Sequence, residues 1–158
     1  MPNSVLNAMT VDVEDFFHVS AFESIIDPSQ WHEYQPRVDA NTRRLLDLFA
    51  KHNVKSTFFV LGWVAERYPE LISEIHRQGH EIASHGYAHR RATDQSREEF
   101  FNDVKRSKDH LEDLIGQRIT GYRAPSFSIG YDNEWAFEVL AELDFGYSSS
   151  TYPVKHDL

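Results

Sequence analysis

The chain contains no cysteine, which excludes both a disulfide scaffold and a cysteine zinc site. Basic residues are also scarce: 16 Lys and Arg stand against 25 Asp and Glu, and a net charge of −9 disfavours nucleic-acid binding. No apolar run approaches the roughly 18 residues that a membrane span requires. The N-terminus lacks the basic and apolar segments of a signal peptide, so we expect a cytoplasmic protein without a membrane span.

The remaining composition is that of a globular protein. Hydrophobic residues make up 41% and aromatic residues 13% of the 158 positions, which excludes a disordered chain. This length suits one domain with a substantial core. No internal repeat, low-complexity tract or linker divides the sequence, so we treat residues 1–158 as one domain.

Short apolar segments that predict strands alternate with segments of helical periodicity. The predicted strands cover residues 5–13, 55–62, 80–84, 119–124 and 145–150, and the predicted helices cover 39–53, 64–79, 96–116 and 132–143. Residues 16–36 form a long aromatic-rich loop. Predicted helix ends and breaks lie at Asn53, Pro69, Gly79, Ser96 with Glu99, and Asp132.

Strict alternation of strands and helices predicts an α/β fold with a parallel sheet and helices outside. Five strand–helix steps are too few for a full eight-stranded barrel of about 250 residues. The sequence therefore predicts either an open doubly wound sheet or the front part of a (β/α) barrel. In both architectures the functional site lies at the carboxyl ends of the strands.

Chemically active side chains follow several of the predicted strands. The first strand ends in acids, the third leads into two histidines four positions apart, and the fourth leads into an arginine and a proline. Two imidazoles and a carboxylate can hold Zn²⁺ or a similar divalent ion and leave positions open for water and substrate. The residues at this rim are Asp12, Glu14, Asp15, His85, His89, Arg123 and Pro125.

Alternation along the first strand places Asp12 and Glu14 on the same face. In H-E-x-x-H metal sites the base is the Glu beside the first His, whereas this chain has Gly86 at that position. One of the two strand carboxylates could therefore bind the ion while the other takes a proton from water. The residues alone leave that division of roles open.

The segments "TVDVEDFFH", "STFFVLG", "GHEIASHGYAH" and "GYRAPSFS", in this order, resemble the polysaccharide deacetylase family, also called carbohydrate esterase family 4. The D-V-E-D-x-F start is similar to the exopolysaccharide-associated bacterial branch. The resemblance covers nearly the whole chain. It implies a distorted (β/α) barrel and metal-dependent removal of N- or O-acetyl groups from an acetylated polysaccharide or oligosaccharide.

The resemblance also implies a role for each rim residue. Asp12 matches the general base and Arg123 the residue that orients it, while His85 and His89 match metal ligands. The family commonly has two adjacent aspartates, but Val13 follows Asp12 here. We therefore expect Glu14 as the third ligand, with Asp15 as the alternative. The ion is expected to be zinc, with cobalt, nickel, manganese or iron as alternatives, and the oxyanion is expected to contact Ser126, which follows Pro125.

A late L-x-H motif supplies the general acid in the family, and it is not found in this sequence. His156 lies too early and in a different context. We therefore expect a domain lacking its C-terminal motifs, and weak or absent activity for these 158 residues alone. Three alternatives remain: a non-catalytic sugar-binding or structural remnant of the fold, a same-fold amidase acting on a small amide, and a receiver-type phosphorylation domain. The last needs an aspartate and a lysine where this chain has Ser84–His85 and Ser148–Ser150.

Overall fold

The computed structural model describes residues 7–152 and contains one parallel sheet of five strands. The strands are β1 (Thr10–Val13), β2 (Thr57–Val60), β3 (Glu81–Ser84), β4 (Gly121–Tyr122) and β5 (Tyr147–Ser148). Each strand pairs in parallel with the next along the chain, in the order β1-β2-β3-β4-β5. The predicted α/β fold with five parallel strands is confirmed.

The sequential strand order selects between the two predicted architectures. A doubly wound sheet reverses direction at a switch point, and a receiver-type domain has the order 2-1-3-4-5. The order of the described strands does not reverse, so it is the order of part of a (β/α) barrel. The receiver-type alternative is therefore wrong.

Five α-helices connect the strands. They are α1 (Val38–His52), α2 (Gly62–Arg67), α3 (Pro69–Arg77), α4 (Arg97–Ile115) and α5 (Trp135–Glu142). Local signals fix several boundaries as predicted: Asn53 ends α1 in the left-handed conformation, and Ser96 with Glu99 forms a capping box before α4. The predicted restart at Pro69 separates α2 from α3. Within residues 7–152, no helix combines the length and apolar character needed to cross a membrane.

Two predicted boundaries need correction. Asp132 does not cap α5: it lies in a 3₁₀ turn at Tyr131–Asn133, and α5 begins at Trp135. The side chain of Asn133 stabilises this turn, because it accepts the Gly130 N–H at 2.7 Å and donates to the Ser128 carbonyl at 2.8 Å. The first strand begins at Thr10, and residues 5 and 6 of its predicted range lie outside the described residues.

The loop at 16–36 contributes core as well as surface. It forms three 3₁₀ helices, at Phe16–His18, Ser20–Phe22 and Pro28–Glu33. Phe17 and Trp31 are buried and pack with Trp63 from α2. These loop aromatics are therefore core residues that anchor the loop beside the carboxyl end of β1.

Candidate metal centre and active site

Three side chains meet where β1 and β3 end. Glu14 directly follows β1, while His85 and His89 lie on the loop that follows β3. One ligand atom from each lies within 4.8 Å of the other two. Glu14 Oε2 is 2.9 Å from His89 Nε2 and 3.9 Å from His85 Nε2. The structure thus brings together the three residues expected to bind metal.

His85 is oriented by a backbone group. Its Nδ1 lies 2.8 Å from the Arg123 carbonyl oxygen, which can only accept a hydrogen bond. The proton must therefore be on Nδ1, and Nε2 carries a lone pair directed to the Glu14 side. Burial lowers the pKa of His85, which favours the neutral imidazole that a metal ligand must be.

The surroundings of the Glu14 carboxylate show whether these three residues fit a cation. Its Oε2 is buried and lies 2.9 Å from His89 Nε2 and 3.9 Å from His85 Nε2. Burial raises the pKa of Glu14, but His89 and His85 outweigh that effect and the net direction is downward. A buried carboxylate oxygen beside two imidazole nitrogens fits a divalent ion with nitrogen and oxygen ligands.

Asp15, the alternative third ligand, has a different set of partners. Its Oδ2 accepts the N–H groups of Arg37 at 2.5 Å and Val38 at 2.9 Å, and its Oδ1 accepts the Phe16 N–H at 3.0 Å. Both oxygens are therefore engaged in capping α1 and the first 3₁₀ helix. This geometry favours Glu14 over Asp15 as the third ligand.

Asp12 and Arg123 form an ion pair beside the metal cluster. Arg123 Nη1 lies 2.7 Å from Asp12 Oδ1, and only 8% of the arginine is exposed. Ser149 Oγ accepts from Nη2 at 3.0 Å, Thr10 Oγ1 accepts from Nη1 at 3.2 Å, and the guanidinium carbon lies 4.0 Å from the Phe59 ring centroid. Arg123 is thus held on several sides while it contacts Asp12.

Pro125 and Ser126 begin a short 3₁₀ helix after β4. Ser126 and Phe127 both have positive φ angles, of 54° and 51°, which non-glycine residues seldom adopt. The Ser126 hydroxyl lies 2.8 Å from the hydroxyl of Ser20 in the first loop. This strained turn therefore joins the rim after β4 to the rim after β1. The role of the Ser126 N–H at an oxyanion stays a prediction.

A groove of about 880 Å³ opens beside this turn. Ser20, Glu23 and Arg91 line one part of it, and Arg91 and Glu23 form an ion pair of 2.7 Å. The other part is lined by Ser126, Phe127, Ile129, Asn133 and Tyr131, whose side chain is 96% exposed. The groove thus offers aromatic rings and polar groups beside the Ser126 turn, and Asp12, Glu14, His85 and His89 are not among its lining residues.

His18 is a neighbour of the centre that sequence reasoning left without a role. It is 4% exposed, and its ring packs edge-on against Trp31 and Trp63. Its Nδ1 accepts the Asp15 N–H at 2.8 Å, so in the neutral ring the proton is on Nε2. Burial lowers the pKa of His18 to about 4. His18 is thus a neutral donor and not a further metal ligand.

The contacts of Ser149 and Asp103 were also missed. Ser149 supports Arg123, and Asp103 of α4 binds the backbone between the two histidines, as described below. Ser149 ends the predicted fifth strand and was expected at the rim, but its contact with Arg123 was not predicted; Asp103 lies on a helix that the sequence does not connect with the site. Only the packing of β5 and α4 against the strand ends brings them there.

Comparison with known proteins agrees with this fold. Residues 31–147, which are most of the chain, match the family model described as Polysaccharide deacetylase. The chain therefore belongs to the polysaccharide deacetylase family. Asp12 and Glu14 precede the matched residues, so their position beside His85 and His89 is an observation of the structure alone.

Several relatives are named as peptidoglycan deacetylases. The chain is 36% identical over 99 residues to a peptidoglycan-N-acetylglucosamine deacetylase of Bacillus cereus, covering 61% of this chain and 36% of that protein. It is 33% identical over 86 residues to a peptidoglycan-N-acetylmuramic acid deacetylase of Bacillus subtilis, covering 54% of this chain and 18% of that protein. The chain thus spans well under two thirds of these relatives' length.

A solved structure extends the comparison to the fold. The crystal structure of a putative polysaccharide deacetylase from Mycobacterium smegmatis matches with a TM-score of 0.74 and 32% identity. The match covers 90% of this chain and 50% of that one. The five-stranded unit described here therefore corresponds to half of that larger protein.

Proposed function

We propose that this chain carries the metal centre and base of a hydrolase that removes acetyl groups from a glycan. The observation that carries the proposal is the meeting of Glu14, His85 and His89 next to the Asp12–Arg123 pair. Three ligands from two strand ends leave an open side, as catalytic metal sites require. A divalent ion bound there would supply Lewis-acid activation of the acetyl carbonyl and of the attacking water.

The chain's own residues would do the rest. Asp12 would accept the proton of the attacking water, and Arg123 would hold the Asp12 carboxylate in a fixed orientation through Nη1. The Ser126 N–H would donate to the developing oxyanion. The hydrogen bond from His85 Nδ1 to the Arg123 carbonyl links the ligand loop to the same arginine, so one residue would position both parts of the centre.

The groove supports an extended glycan as the substrate. It lies beside Ser126, is open to solvent and presents the rings of Tyr131 and Phe127, which can pack against sugar faces. Two different observations each favour a different polymer as the substrate. The relatives favour an N-acetylated cell-wall glycan, and the D-V-E-D-x-F start favours an exopolysaccharide. We take the cell-wall glycan as the first substrate to test.

The complete reaction also needs an acid for the leaving amine. Within residues 7–152 no histidine occupies an L-x-H motif, and His156 lies outside the described residues. Since the chain covers 50% of the related solved structure, the activity of the whole protein is part of the proposal.

The test is acetate release from N-acetylglucosamine oligomers, peptidoglycan and an acetylated exopolysaccharide, with Zn²⁺, Co²⁺ or Mn²⁺ added after chelation. We expect one bound metal per chain, and metal-dependent acetate release once the acid is present. The matched variants are Asp12→Asn, which should keep the metal and lose turnover, and Asp113→Asn on the exposed face of α4, which should change neither. Absence of metal binding by the wild-type chain would overturn the proposal.

A further inference from the structure

The loop between the two ligand histidines is held through backbone N–H groups whose acceptors are supplied by, or supported from, helix α4. Tyr87 N–H donates to Asp103 Oδ2 at 2.9 Å, and the neighbouring Ala88 N–H also acts on this carboxylate to lower its pKa. Gly86 N–H donates to Ser84 Oγ at 3.2 Å, and the Ser84 hydroxyl donates in turn to Ser107 Oγ at 3.0 Å. Asp103 and Ser107 are four residues apart, so both lie on one face of α4.

The carbonyl groups of the same loop are held by a second helix. Gly62 N–H donates to the Gly86 carbonyl at 2.9 Å, and Trp63 N–H donates to the Tyr87 carbonyl at 3.0 Å. Both donors lie in the first turn of α2, where backbone N–H groups have no partner within the helix. The loop backbone is therefore held between α2 and α4.

Asp103 approaches this loop more closely than an ordinary side chain would allow. A Cβ atom at residue 86 would lie 2.9 Å from Asp103 Oδ2, and Gly86 has a φ of 75°. Glycine is thus required both for the left-handed backbone and for the space the carboxylate occupies. Successive N–H groups that point at one anion form the arrangement known as a nest.

The placement of Asp103 is unfavourable by itself. Burial raises the pKa of Asp103, and the N–H groups of Tyr87 and Ala88 only partly offset this effect. Arg90 and Arg106 provide weaker charge compensation. A half-buried carboxylate in such a position needs a reason beyond helix stability, because α4 already has its own capping box and an apolar face.

What the loop must maintain is the conformation of His89. This ligand has a φ of 51°, in the left-handed region that a histidine seldom occupies. Such a conformation is unfavourable by itself and persists only when neighbouring structure holds it. Asp103 accepts the N–H of Tyr87, two residues before His89, so it is well placed to hold the ligand.

We propose that Asp103 is a positioning residue that preforms the metal site by fixing the loop from His85 to His89 from outside the cluster. The proposal rests on the proposed function only in taking His85 and His89 as metal ligands. Asp103 does not touch the ligand atoms, and it acts through the backbone of Gly86, Tyr87 and Ala88. Partners of this kind typically change metal affinity 10- to 100-fold when they are removed.

The first experiment measures the dissociation constant for Zn²⁺ by chelator competition, at a temperature where every variant is folded. Asp103→Ala should weaken binding about 10- to 100-fold. Asp103→Asn keeps one acceptor oxygen and should fall between Asp103→Ala and the wild type. Asp113→Asn, which changes the same charge on the exposed face of the same helix, should bind like the wild type.

A second measurement distinguishes a positioning role of Asp103 from a purely structural one. Amide exchange in the metal-free protein should be slow at Tyr87 and Ala88, and should accelerate in Asp103→Ala more than at amides elsewhere in α4. If Asp103 only stabilised the fold, the melting temperature would fall while the zinc affinity of the folded protein stayed at the wild-type value. That result would overturn the proposal.

Alanine substitutions at Gly86 and Gly116 provide an independent test. Gly86→Ala and Gly116→Ala both place a side chain at a positive φ, of 75° and 66°, but a Cβ at residue 116 meets no atom within 4 Å. Only Gly86→Ala should weaken zinc binding, because only it displaces the Asp103 carboxylate. If the wild type binds zinc and both alanine variants bind it equally well, the positioning role fails while the metal centre stands. If the wild type binds no metal, the proposed function fails with it.

Discussion

Arg123 and Asp12 are joined by a 2.7 Å contact although their strands are not neighbours in the sheet. Arg123 follows β4, Asp12 lies on β1, and β2 and β3 lie between them. Strands in a flat sheet are about 4.8 Å apart, so three steps would span roughly 14 Å. The long arginine side chain therefore reaches across the intervening strands, and its guanidinium carbon lies 4.0 Å from the ring centroid of Phe59 on β2.

In the complete enzyme, with the general acid present, we expect Asp12→Asn to lower kcat by about 10²- to 10⁴-fold, because the amide cannot accept the proton of the attacking water. Metal content should stay at the wild-type level, since Asp12 is not in the ligand cluster. Acetate release together with elemental analysis checks both statements. Wild-type turnover by this variant would remove Asp12 from the base role.

Arg123→Lys tests orientation separately from charge. Lysine keeps the positive charge but cannot reproduce the planar donors that reach Asp12, Thr10 and Ser149 together. We expect kcat to fall at least about tenfold with little change in KM. Arg118→Lys, at an exposed arginine, is the matched control. Equal kcat for the two variants would show that a point charge is enough.

His85→Ala combined with His89→Ala should abolish stoichiometric metal binding, because it leaves Glu14 alone of the three ligands. Glu14→Gln should weaken binding while keeping the shape of the side chain. His52→Ala, at an exposed histidine of α1, should leave metal content unchanged. Metal analysis after dialysis is the measurement, and full retention of the metal by the double variant would refute the assigned centre.

The stability of the metal-free protein should fall as the pH drops from about 6.5 to about 4. His18 has an ordinary pKa of 6.5 that burial lowers to about 4, so the unfolded chain binds this proton first and acid favours unfolding. The contribution of this residue is up to about 3 kcal/mol over that interval. Urea unfolding at a series of pH values, with a chelator present, measures it.

The contribution of His18 is isolated by comparing the slope of stability against pH in the wild type with the slope in His18→Gln. Burial also lowers the pKa of His85 and His80, so the wild-type slope contains several groups acting in the same direction. In the variant, the slope of the free energy of unfolding against pH should decrease by the contribution of about one proton, whatever the absolute stability of the variant. An unchanged slope would mean that His18 has the same pKa in the folded and the unfolded protein.

Tyr131→Ala should raise KM for a glycan oligomer by about 2- to 10-fold, the range that an aromatic packing contact contributes. The ring is 96% exposed at the groove, so folding stability should hardly change. Phe137→Ala removes a partly exposed aromatic of α5 that does not line the groove, and its KM should match the wild type. A monosaccharide substrate should be less affected than an oligomer if the groove binds an extended chain.

The sequence predicted features that depend on neighbouring residues. Asn53 ends α1 and Ser96 pairs with Glu99 because helix termini are decided within a few positions. The four-residue spacing of His85 and His89 and the alternation of Asp12 and Glu14 likewise allowed the cluster to be anticipated. Asp132 was the local exception, since the Asn133 side chain competes for the same turn.

Contacts between distant segments could not be predicted in this way. Asp15 differs from Glu14 by one position, and only the approach of the α1 terminus shows that its carboxylate is used as a cap. Ser149 and Asp103 lie 26 and 14 residues from Arg123 and His89 along the chain; the end of the fifth strand places Ser149 at the rim without naming its partner, and nothing in the segment of Asp103 indicates a contact. Their roles depend on how β5 and α4 pack at the strand ends.

The aromatic cluster beside the centre gives the protein an intrinsic fluorescent probe. Two of its three tryptophans, Trp31 and Trp63, contact the His18 ring with centroids at 4.5 and 4.8 Å, while Trp135 belongs to the second core cluster. Indole emission is quenched by a protonated imidazole in contact with the ring. Fluorescence of Trp31 and Trp63 should therefore report the protonation state of His18 without an added label. Trp135→Phe would remove the background emission of the third tryptophan.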